Sequence, residues 1–156
     1  METLIALSDY ETERNKPMPS KNHSRVARRL NVLLTPFEDK YDIMNEICIE
    51  FDPKDSVPDL CLYPKLSFDW ENDEISMTET PITTFEILSP SQAINDLVKK
   101  IRNIYFPAGI KSSWLIVPPL KTVHILYPNT PTQTFSEGNI KDLVTNVEIK
   151  LEDIFR

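Results

Sequence analysis

Apolar residues recur along this chain at two spacings, one typical of helices and the other typical of strands. A first helical stripe is formed by Val26, Leu30, Leu33 and Phe37. This spacing places them on one face and predicts an amphipathic helix over residues 22–37. A second stripe is formed by Ile94, Leu97, Val98, Ile101 and Tyr105. It predicts a helix that begins at Ser89, where Gln92 would close a capping box, and that Pro107 and Gly109 end.

Short alternating or continuous apolar runs outside these helices predict strands. The runs cover residues 43–51, 57–63, 82–88, 113–117, 120–127 and 147–151. Residues 64–81 are polar and irregular, and residues 1–20 are predicted to be an extended N-terminal segment because of their prolines. Strands outnumber helices and cluster between them. This order predicts one domain over residues 1–156 of the α+β class, an α/β sandwich whose mixed central sheet is flanked by helices.

The charge balance narrows the function classes. The chain has 24 acidic and 17 basic residues and a formal net charge of −7. Domains that coat nucleic acid are usually basic, so this balance argues against that class. It leaves room for a nuclease, because the positive surface of a nuclease can be local and its acidic residues can bind metal.

The cysteine content and the apolar runs indicate the compartment. Cys48 and Cys61 are the two cysteines of the chain, and neither belongs to a C-x-x-C pair. Zinc is therefore not expected, and buried reduced thiols are favoured. No apolar run approaches the roughly 18 residues of a membrane span, and the N-terminus lacks the basic leader of a secretion signal. The expected location is the cytoplasm.

The candidate chemistry lies in two strand-like runs that each contain one acidic residue. Asp59 interrupts Val57-Pro58-Asp59-Leu60, and Glu86 interrupts Phe85-Glu86-Ile87-Leu88. A carboxylate on a core strand is costly unless a cation pairs with it. Two carboxylates on neighbouring strands would repel each other, which makes a divalent metal, Mg²⁺ or Mn²⁺, their natural partner. A turn aspartate and an edge-strand glutamate are the alternative interpretation.

A lysine on the second predicted helix would complete such a site. On a helical wheel, Lys100 lies about 105° from the centre of the apolar stripe and Lys99 about 155°. Lys100 therefore flanks the buried face and is the predicted catalytic lysine, which would stabilise charge on the phosphate or position a water. The alternative is that both lysines belong to a solvated helix face.

Positive charge concentrates on the two predicted helices. The basic residues are Arg25, Arg28 and Arg29 on the first helix and Lys99, Lys100 and Arg102 on the second. If both helices border one cleft, that cleft is basic although the chain is acidic, and it suits the approach of phosphate. Two solvated helix faces are the alternative.

Several strings resemble a known family. They are Pro58-Asp59, Glu86-Ile87-Leu88-Ser89-Pro90-Ser91, Asp96-Leu97-Val98-Lys99-Lys100, Ala108-Gly109-Ile110 and Trp114-Leu115-Ile116, with Tyr10-Glu11 and Pro17-Met18-Pro19-Ser20 near the N-terminus. Over residues 8–156 the chain is similar to the Uma family of restriction-endonuclease-like proteins, in the PD-(D/E)XK nuclease superfamily. The resemblance implies an αβββαβ core and Asp59 and Glu86 as metal ligands. The backbone carbonyl of Ile87 is a further candidate ligand.

The chain also departs from the superfamily pattern, in which the lysine lies two residues after the glutamate. Leu88 occupies that position here, and the resemblance implies that the lysine has moved into the following helix, at Lys100. That helix is one residue longer between Lys100 and Gly109 than in the family. Because the first helix of such nucleases often lends a polar residue to the site, His23 and Glu11 are secondary candidates.

The predicted function is that of a Mg²⁺-dependent DNA endonuclease with Asp59, Glu86 and Lys100 as catalytic residues. DNA is the expected partner, although the sequence does not distinguish it from RNA. A homodimer would supply two sites for cutting both strands of a duplex. The alternative is a catalytically inactive protein that keeps the fold and acts as a dimeric binding or scaffold module, an interpretation that the acidic charge and Leu88 favour.

Overall fold

The computed structural model of the chain describes residues 8–14 and 16–156. Within these ranges lie four α-helices: α1 (Asp9–Arg14), α2 (Lys21–Leu34), α3 (Ile94–Lys100) and α4 (Leu151–Ile154). The same ranges contain ten strands: β1 (Tyr41–Asn45), β2 (Cys48–Ile49), β3 (Leu60–Pro64), β4 (Ser76–Met77), β5 (Thr83–Ile87), β6 (Ser112–Val117), β7 (Thr122–Leu126), β8 (Gln133–Phe135), β9 (Asn139–Lys141) and β10 (Glu148–Lys150). A π-helical turn, Ile101–Tyr105, continues α3.

Six of the strands form one mixed sheet in the order β1-β3-β5-β6-β7-β8. The central pair, β5 and β6, is parallel and α3 lies in the connection between them, whereas the other neighbours are antiparallel. This arrangement confirms the predicted α+β class with a mixed central sheet. Across the described ranges, no helix has both the length and the apolar composition that crossing a membrane requires.

The side chains of each strand alternate between the two faces of this sheet. Both faces are apolar, and helices cover each of them. Leu60 and Leu62 of β3 are fully buried in a core that also contains the apolar stripe of α2 and the residues of α4. Cys61 and Tyr63 of the same strand pack in a second core, which contains the stripe of α3 and the π turn. The two long helical elements therefore lie on opposite faces.

The opposite placement of α2 and α3 favours the second of the two interpretations of their basic residues, that of two separate helix faces. Two arginines of α2 bind the C-terminal segment. Nε of Arg25 donates to the carbonyl of Arg156 at 2.9 Å. Nε of Arg29 donates to the carbonyl of Asp153, also at 2.9 Å. These side chains hold the end of the chain against α2, and Arg25 also lines a cavity of about 300 Å³ beside that end.

The strands differ from the predictions at two places near the candidate residues. The strand predicted over residues 43–51 is two strands, because Glu46 adopts a positive φ of 48° and redirects the chain between β1 and β2. The strand predicted over residues 57–63 begins only at Leu60. Asp59 therefore lies just before the first residue of β3.

The helical predictions also need two corrections. The helix predicted from Ser89 begins at Ile94, because Ala93 is extended, with φ −90° and ψ 132°. The predicted contact of Gln92 with Ser89 is present, since Oε1 of Gln92 accepts the N–H of Ser89 at 3.1 Å, but it closes a separate turn ahead of the helix. The N-terminal segment predicted to be extended contains α1. The part of that prediction that concerns residues 1–7 and 15 lies outside the described residues.

The π turn accommodates an extra residue at the end of α3. The N–H of Phe106 donates to the carbonyl of Ile101 at 3.0 Å, five residues back instead of the four of an α-helix. A single turn of this kind inserts one residue into a helix. The turn also sets the direction of Tyr105, whose side chain is fully buried.

Asp142 holds the hairpin of β9 and β10 against the centre of the sheet. Its side chain is fully buried, and Oδ2 accepts hydrogen bonds from the hydroxyl of Ser112 (2.7 Å) and the indole N–H of Trp114 (2.8 Å). Oδ1 accepts the backbone N–H of Val144 at 2.8 Å. One carboxylate thus accepts hydrogen bonds both from β6 and from the turn of the hairpin.

We expect Asp142→Ala to lower the free energy of unfolding by about 3 kcal/mol or more, because several buried donors lose their acceptor at once. Urea denaturation followed by far-UV circular dichroism measures the change. The matched control is Glu137→Ala at an exposed acidic position, for which we expect a change within about 0.5 kcal/mol. Equal stability of the two variants would contradict the anchoring role of Asp142.

Candidate functional site

The structure brings Asp59 and Glu86 together. In the antiparallel ladder Leu60 of β3 faces Phe85 of β5, so Asp59 and Glu86 occupy the next positions along the two neighbouring chain segments. Oδ2 of Asp59 accepts the backbone N–H of Ile87 at 2.8 Å. The two acidic residues are 4% and 2% exposed, so both carboxylates depend on protein groups for their stabilisation.

Lys100 reaches Glu86 from α3. Its Nζ lies 2.9 Å from Oε1 of Glu86, whereas the neighbouring Lys99 is exposed. The same Oε1 accepts the hydroxyl of Tyr105 at 2.5 Å, and that hydroxyl lies 3.0 Å from the hydroxyl of Ser56. Burial and the negative charge of Glu86 raise the pKa of Tyr105 well above its ordinary value, so the phenol stays protonated and donates.

Lys16 is a site residue that the sequence did not reveal. It lies between α1 and α2, and its Nζ is 2.5 Å from Oδ1 of Asp59. The ammonium also donates to the carbonyl of Val57 at 3.1 Å and lies 3.7 Å from Oε1 of Glu46. Burial lowers the pKa of Lys16, but the charges of Asp59 and Glu86 outweigh that effect, and the pKa is raised above its ordinary value. The ammonium therefore stays charged.

His23 supplies a second contact to Asp59. Its Nε2 lies 3.1 Å from Oδ1 of Asp59, and the N-cap Ser20 fixes the start of α2 by accepting the backbone N–H of His23 at 3.1 Å. Nδ1 of His23 is buried without a hydrogen-bond partner among the described residues. Burial raises the pKa of Asp59, but the hydrogen bond with His23 and the positive charge of Lys16 outweigh it and hold the pKa below its ordinary value.

The side chain of Glu11, the other secondary candidate, is hydrogen-bonded to Ser8. Its Oε1 accepts hydrogen bonds from the backbone N–H and the hydroxyl of Ser8 at 3.2 and 3.1 Å. The preceding residue, Tyr10, points to the site instead, and its hydroxyl donates to Oε1 of Glu46 at 3.1 Å. Because Glu46 also lies near Lys16, α1 contributes to the site through Tyr10.

Two cavities flank the carboxylates. One of about 180 Å³ is lined by residues that include His23, Glu46 and Asp59. The other, of about 60 Å³, is lined by residues that include Lys16, Lys54 and Lys100. A larger cavity of about 460 Å³ lies beneath residues 65–79, and its lining holds none of the predicted site residues. Asp59 therefore lines the first of these cavities and Lys100 the second, whereas Glu86 lines neither.

The oxygen atoms near Asp59 are of the kind that bind a hard cation such as Mg²⁺. The ammonium of Lys16 lies among three oxygen atoms, those of Asp59, Val57 and Glu46, so the position favours positive charge. Within residues 8–14 and 16–156, no group of three or more His, Cys, Asp and Glu side chains could hold a metal ion. Mg²⁺ needs fewer protein ligands, since it binds through one or two carboxylates and keeps several waters. Asp59 and Glu86 provide that number.

Two comparisons with known proteins agree with this structure. The Uma2 family model, described as "Putative restriction endonuclease", matches residues 4–152. Among solved structures, the chain is similar to a protein from Anabaena variabilis ATCC 29413 described as "a putative nuclease belonging to DUF820", with 22% sequence identity and a TM-score of 0.72. The likeness covers 89% of this chain and 83% of that chain and shows the fold. None of the curated proteins matches the chain.

The lowered pKa of Asp59 predicts how acid destabilises the protein. A carboxyl whose pKa falls on folding stabilises the folded state above its unfolded value, 3.8, and this contribution is lost as the pH falls through the lower folded value. We expect the free energy of unfolding of the wild type to fall below pH 3.8 more steeply than that of Asp59→Asn, by at most about 1.4 kcal/mol per pH unit. Urea unfolding between pH 2 and 7 measures both slopes.

The control for this measurement is Asp39→Asn, at an exposed position, which should keep the acid slope of the wild type. Because the comparison uses slopes, the overall loss of stability expected on removing a buried charge does not affect it. Parallel curves for the wild type and Asp59→Asn below pH 3.8 would show that Lys16 and His23 do not hold this carboxyl in its charged form.

Proposed function

The chain belongs to the Uma2 family, which confirms the resemblance seen in its sequence, and we propose that it is a Mg²⁺-dependent endonuclease that hydrolyses phosphodiester bonds in DNA. One arrangement carries the proposal. Asp59 and Glu86 are buried at adjoining positions, and an ammonium, that of Lys100, lies 2.9 Å from Glu86. Two acids can hold a divalent metal that assists hydrolysis of a phosphodiester, and a lysine beside them can stabilise the charge that develops on the phosphate.

The ligands of the metal, Mg²⁺ or Mn²⁺, would be the carboxylates of Asp59 and Glu86 and the backbone carbonyl of Ile87. The N–H of Ile87 already binds Asp59. In an extended strand the carbonyl of a residue faces the same neighbouring strand as its N–H, which supports this carbonyl as a third oxygen. A cation held there would polarise the phosphodiester and lower the pKa of a bound water.

The protein groups around the carboxylates have distinct roles in this proposal. Lys100 stabilises the negative charge that develops on the phosphate, because its ammonium is fixed beside Glu86 and partly shielded from solvent. Tyr105 donates to Glu86 and orients that carboxylate. The N–H of Ile87 orients Asp59 in the same way. Groups held in place before the substrate arrives cost no reorganisation during the reaction.

Phosphate approach is supported by the smaller cavity beside the site. Lys16, Lys54 and Lys100 line this cavity of about 60 Å³, together with Asp55 and the hydroxyl-bearing Ser56. With a metal bound to the neighbouring carboxylates, these lysines attract a phosphate even on an acidic protein, because the nearby charges dominate the field within a cleft. DNA is the substrate class we propose from the family. A homodimer and a cytoplasmic location remain predictions from the sequence.

The proposed catalytic residues predict a loss of nuclease activity on substitution. We expect Asp59→Asn, Glu86→Gln and Lys100→Met each to lower the rate of plasmid cleavage in the presence of Mg²⁺ or Mn²⁺ by about 100-fold or more. The measurement is the conversion of supercoiled plasmid to open-circular and linear forms on agarose gels. Circular dichroism of each variant shows whether the fold is kept.

The matched control is Lys99→Met, which removes an exposed lysine one residue from Lys100 on the same helix and should cleave like the wild type. Chelation of the divalent metal should stop cleavage by the wild type. Equal cleavage by the wild type, Asp59→Asn and Glu86→Gln would refute the assignment of the site.

The second candidate function is a catalytically inactive binding or scaffold module. It is favoured by Leu88 in place of the superfamily lysine and by the pairing of Asp59 with Lys16 and of Glu86 with Lys100, which balances both carboxylates without a metal. Absence of cleavage by the folded wild type over a range of DNA substrates, with Mg²⁺ and with Mn²⁺, would favour this module over the enzyme.

A further inference from the structure

We propose that the ammonium of Lys16 occupies the cation position beside Asp59 and that a divalent metal must displace it, so that Lys16 sets the metal affinity of the site. The inference rests on the proposed function, because it concerns the same carboxylate. It adds a residue that neither the sequence pattern nor the proposed ligand set contains.

The contacts of Lys16 are those of a bound cation. Nζ lies 2.5 Å from Oδ1 of Asp59, 3.1 Å from the carbonyl oxygen of Val57 and 3.7 Å from Oε1 of Glu46. Its side chain is 12% exposed. A divalent cation at the same oxygen of Asp59 would meet this ammonium at close range, where like charges repel strongly. The two cations therefore exclude each other from that oxygen.

Lys16 is the partner of Asp59 best able to leave. The N–H of Ile87, which holds Oδ2, is part of the central sheet. His23, which contacts Oδ1, is buried in α2. Lys16 lies outside the helices, in the segment that joins α1 to α2, and a lysine carries its ammonium on four flexible methylene groups. Exchange of this one side chain opens the site without disturbing the sheet or α2.

The cavity of about 60 Å³ offers the displaced side chain a place. Lys16 already lines this cavity, together with Lys54, Asp55 and Lys100. An ammonium that leaves Asp59 for this space joins two other lysines, and the three lysines outweigh the single charge of Asp55 and favour an anion such as a phosphate oxygen. Metal binding at Asp59 and phosphate binding in the cavity would thus support each other through one side chain.

The test is calorimetric titration with MnCl₂ of the wild type, Lys16→Met and Lys21→Met in the absence of DNA. Methionine keeps the length and the apolar stem of the lysine and removes the charge. If the lysine occupies the position in about nine of ten molecules, its removal raises the apparent affinity for Mn²⁺ about tenfold. Lys21→Met removes an exposed lysine at the start of α2 and should bind Mn²⁺ like the wild type.

A second measurement covers the case in which Lys16→Met is poorly folded without metal. Saturating Mn²⁺ should raise the melting temperature of Lys16→Met more than that of the wild type, because tighter binding to the folded state stabilises it more. Lys16→Arg, which keeps the charge, should not gain affinity. The gain in Lys16→Met should disappear when Glu86→Gln is added, which shows that the new binding is at this site.

The outcomes separate the inference from the proposed function. Equal Mn²⁺ affinity of the wild type and Lys16→Met overturns the inference and leaves the metal site intact. Binding by Lys16→Met but not by the wild type supports the inference and means that the lysine closes the site in the absence of substrate. No binding by either protein overturns both the inference and the proposed metal site.

Discussion

The structure depends on the stabilisation of two buried carboxylates that stand side by side. Asp59 and Glu86 are almost inaccessible to water, and in such surroundings two negative charges at adjoining positions repel each other and lack solvation. Each carboxylate is therefore matched by a cation, Lys16 for Asp59 and Lys100 for Glu86. The cations come from separate parts of the chain, and the elements that deliver them are arranged around this requirement.

The backbone at the end of α3 contributes to the stabilisation of the buried carboxylate of Glu86. The π turn places Tyr105 under Glu86, where its hydroxyl donates to the carboxylate and its ring lies 5.4 Å from Nζ of Lys100. Without the extra residue, the positions after the turn would be rotated by about 100° around the helix axis. Tyr105 would then leave the carboxylate, and Glu86 would lose a buried donor. The single added residue is thus tied to the chemistry of the site.

The sequence predicts the two acids and Lys100 because each breaks or flanks a regular apolar pattern, which is a local signal. It does not predict Lys16, whose partner Asp59 lies 43 residues away and whose segment has no periodicity. Periodicity also cannot tell which face of the sheet a helix covers, so the sequence leaves open whether α2 and α3 border one cleft. The apolar alternation of residues 43–51 does not reveal the break between β1 and β2, because the positive φ of Glu46 that causes it leaves no trace in that alternation.

The net charge of −7 bears on this site less than the charges within reach of a phosphate, because salt screens interactions beyond about 10 Å at 0.1 M. The charged groups at the carboxylates and the smaller cavity are Glu46, Asp55, Asp59, Glu86, Lys16, Lys54 and Lys100. These four acids and three lysines leave one negative charge. A divalent cation that enters while Lys16 stays in the cavity therefore leaves the group with one positive charge. On this argument the metal-free site attracts nucleic acid weakly, and the metal supplies the charge that brings the phosphate in.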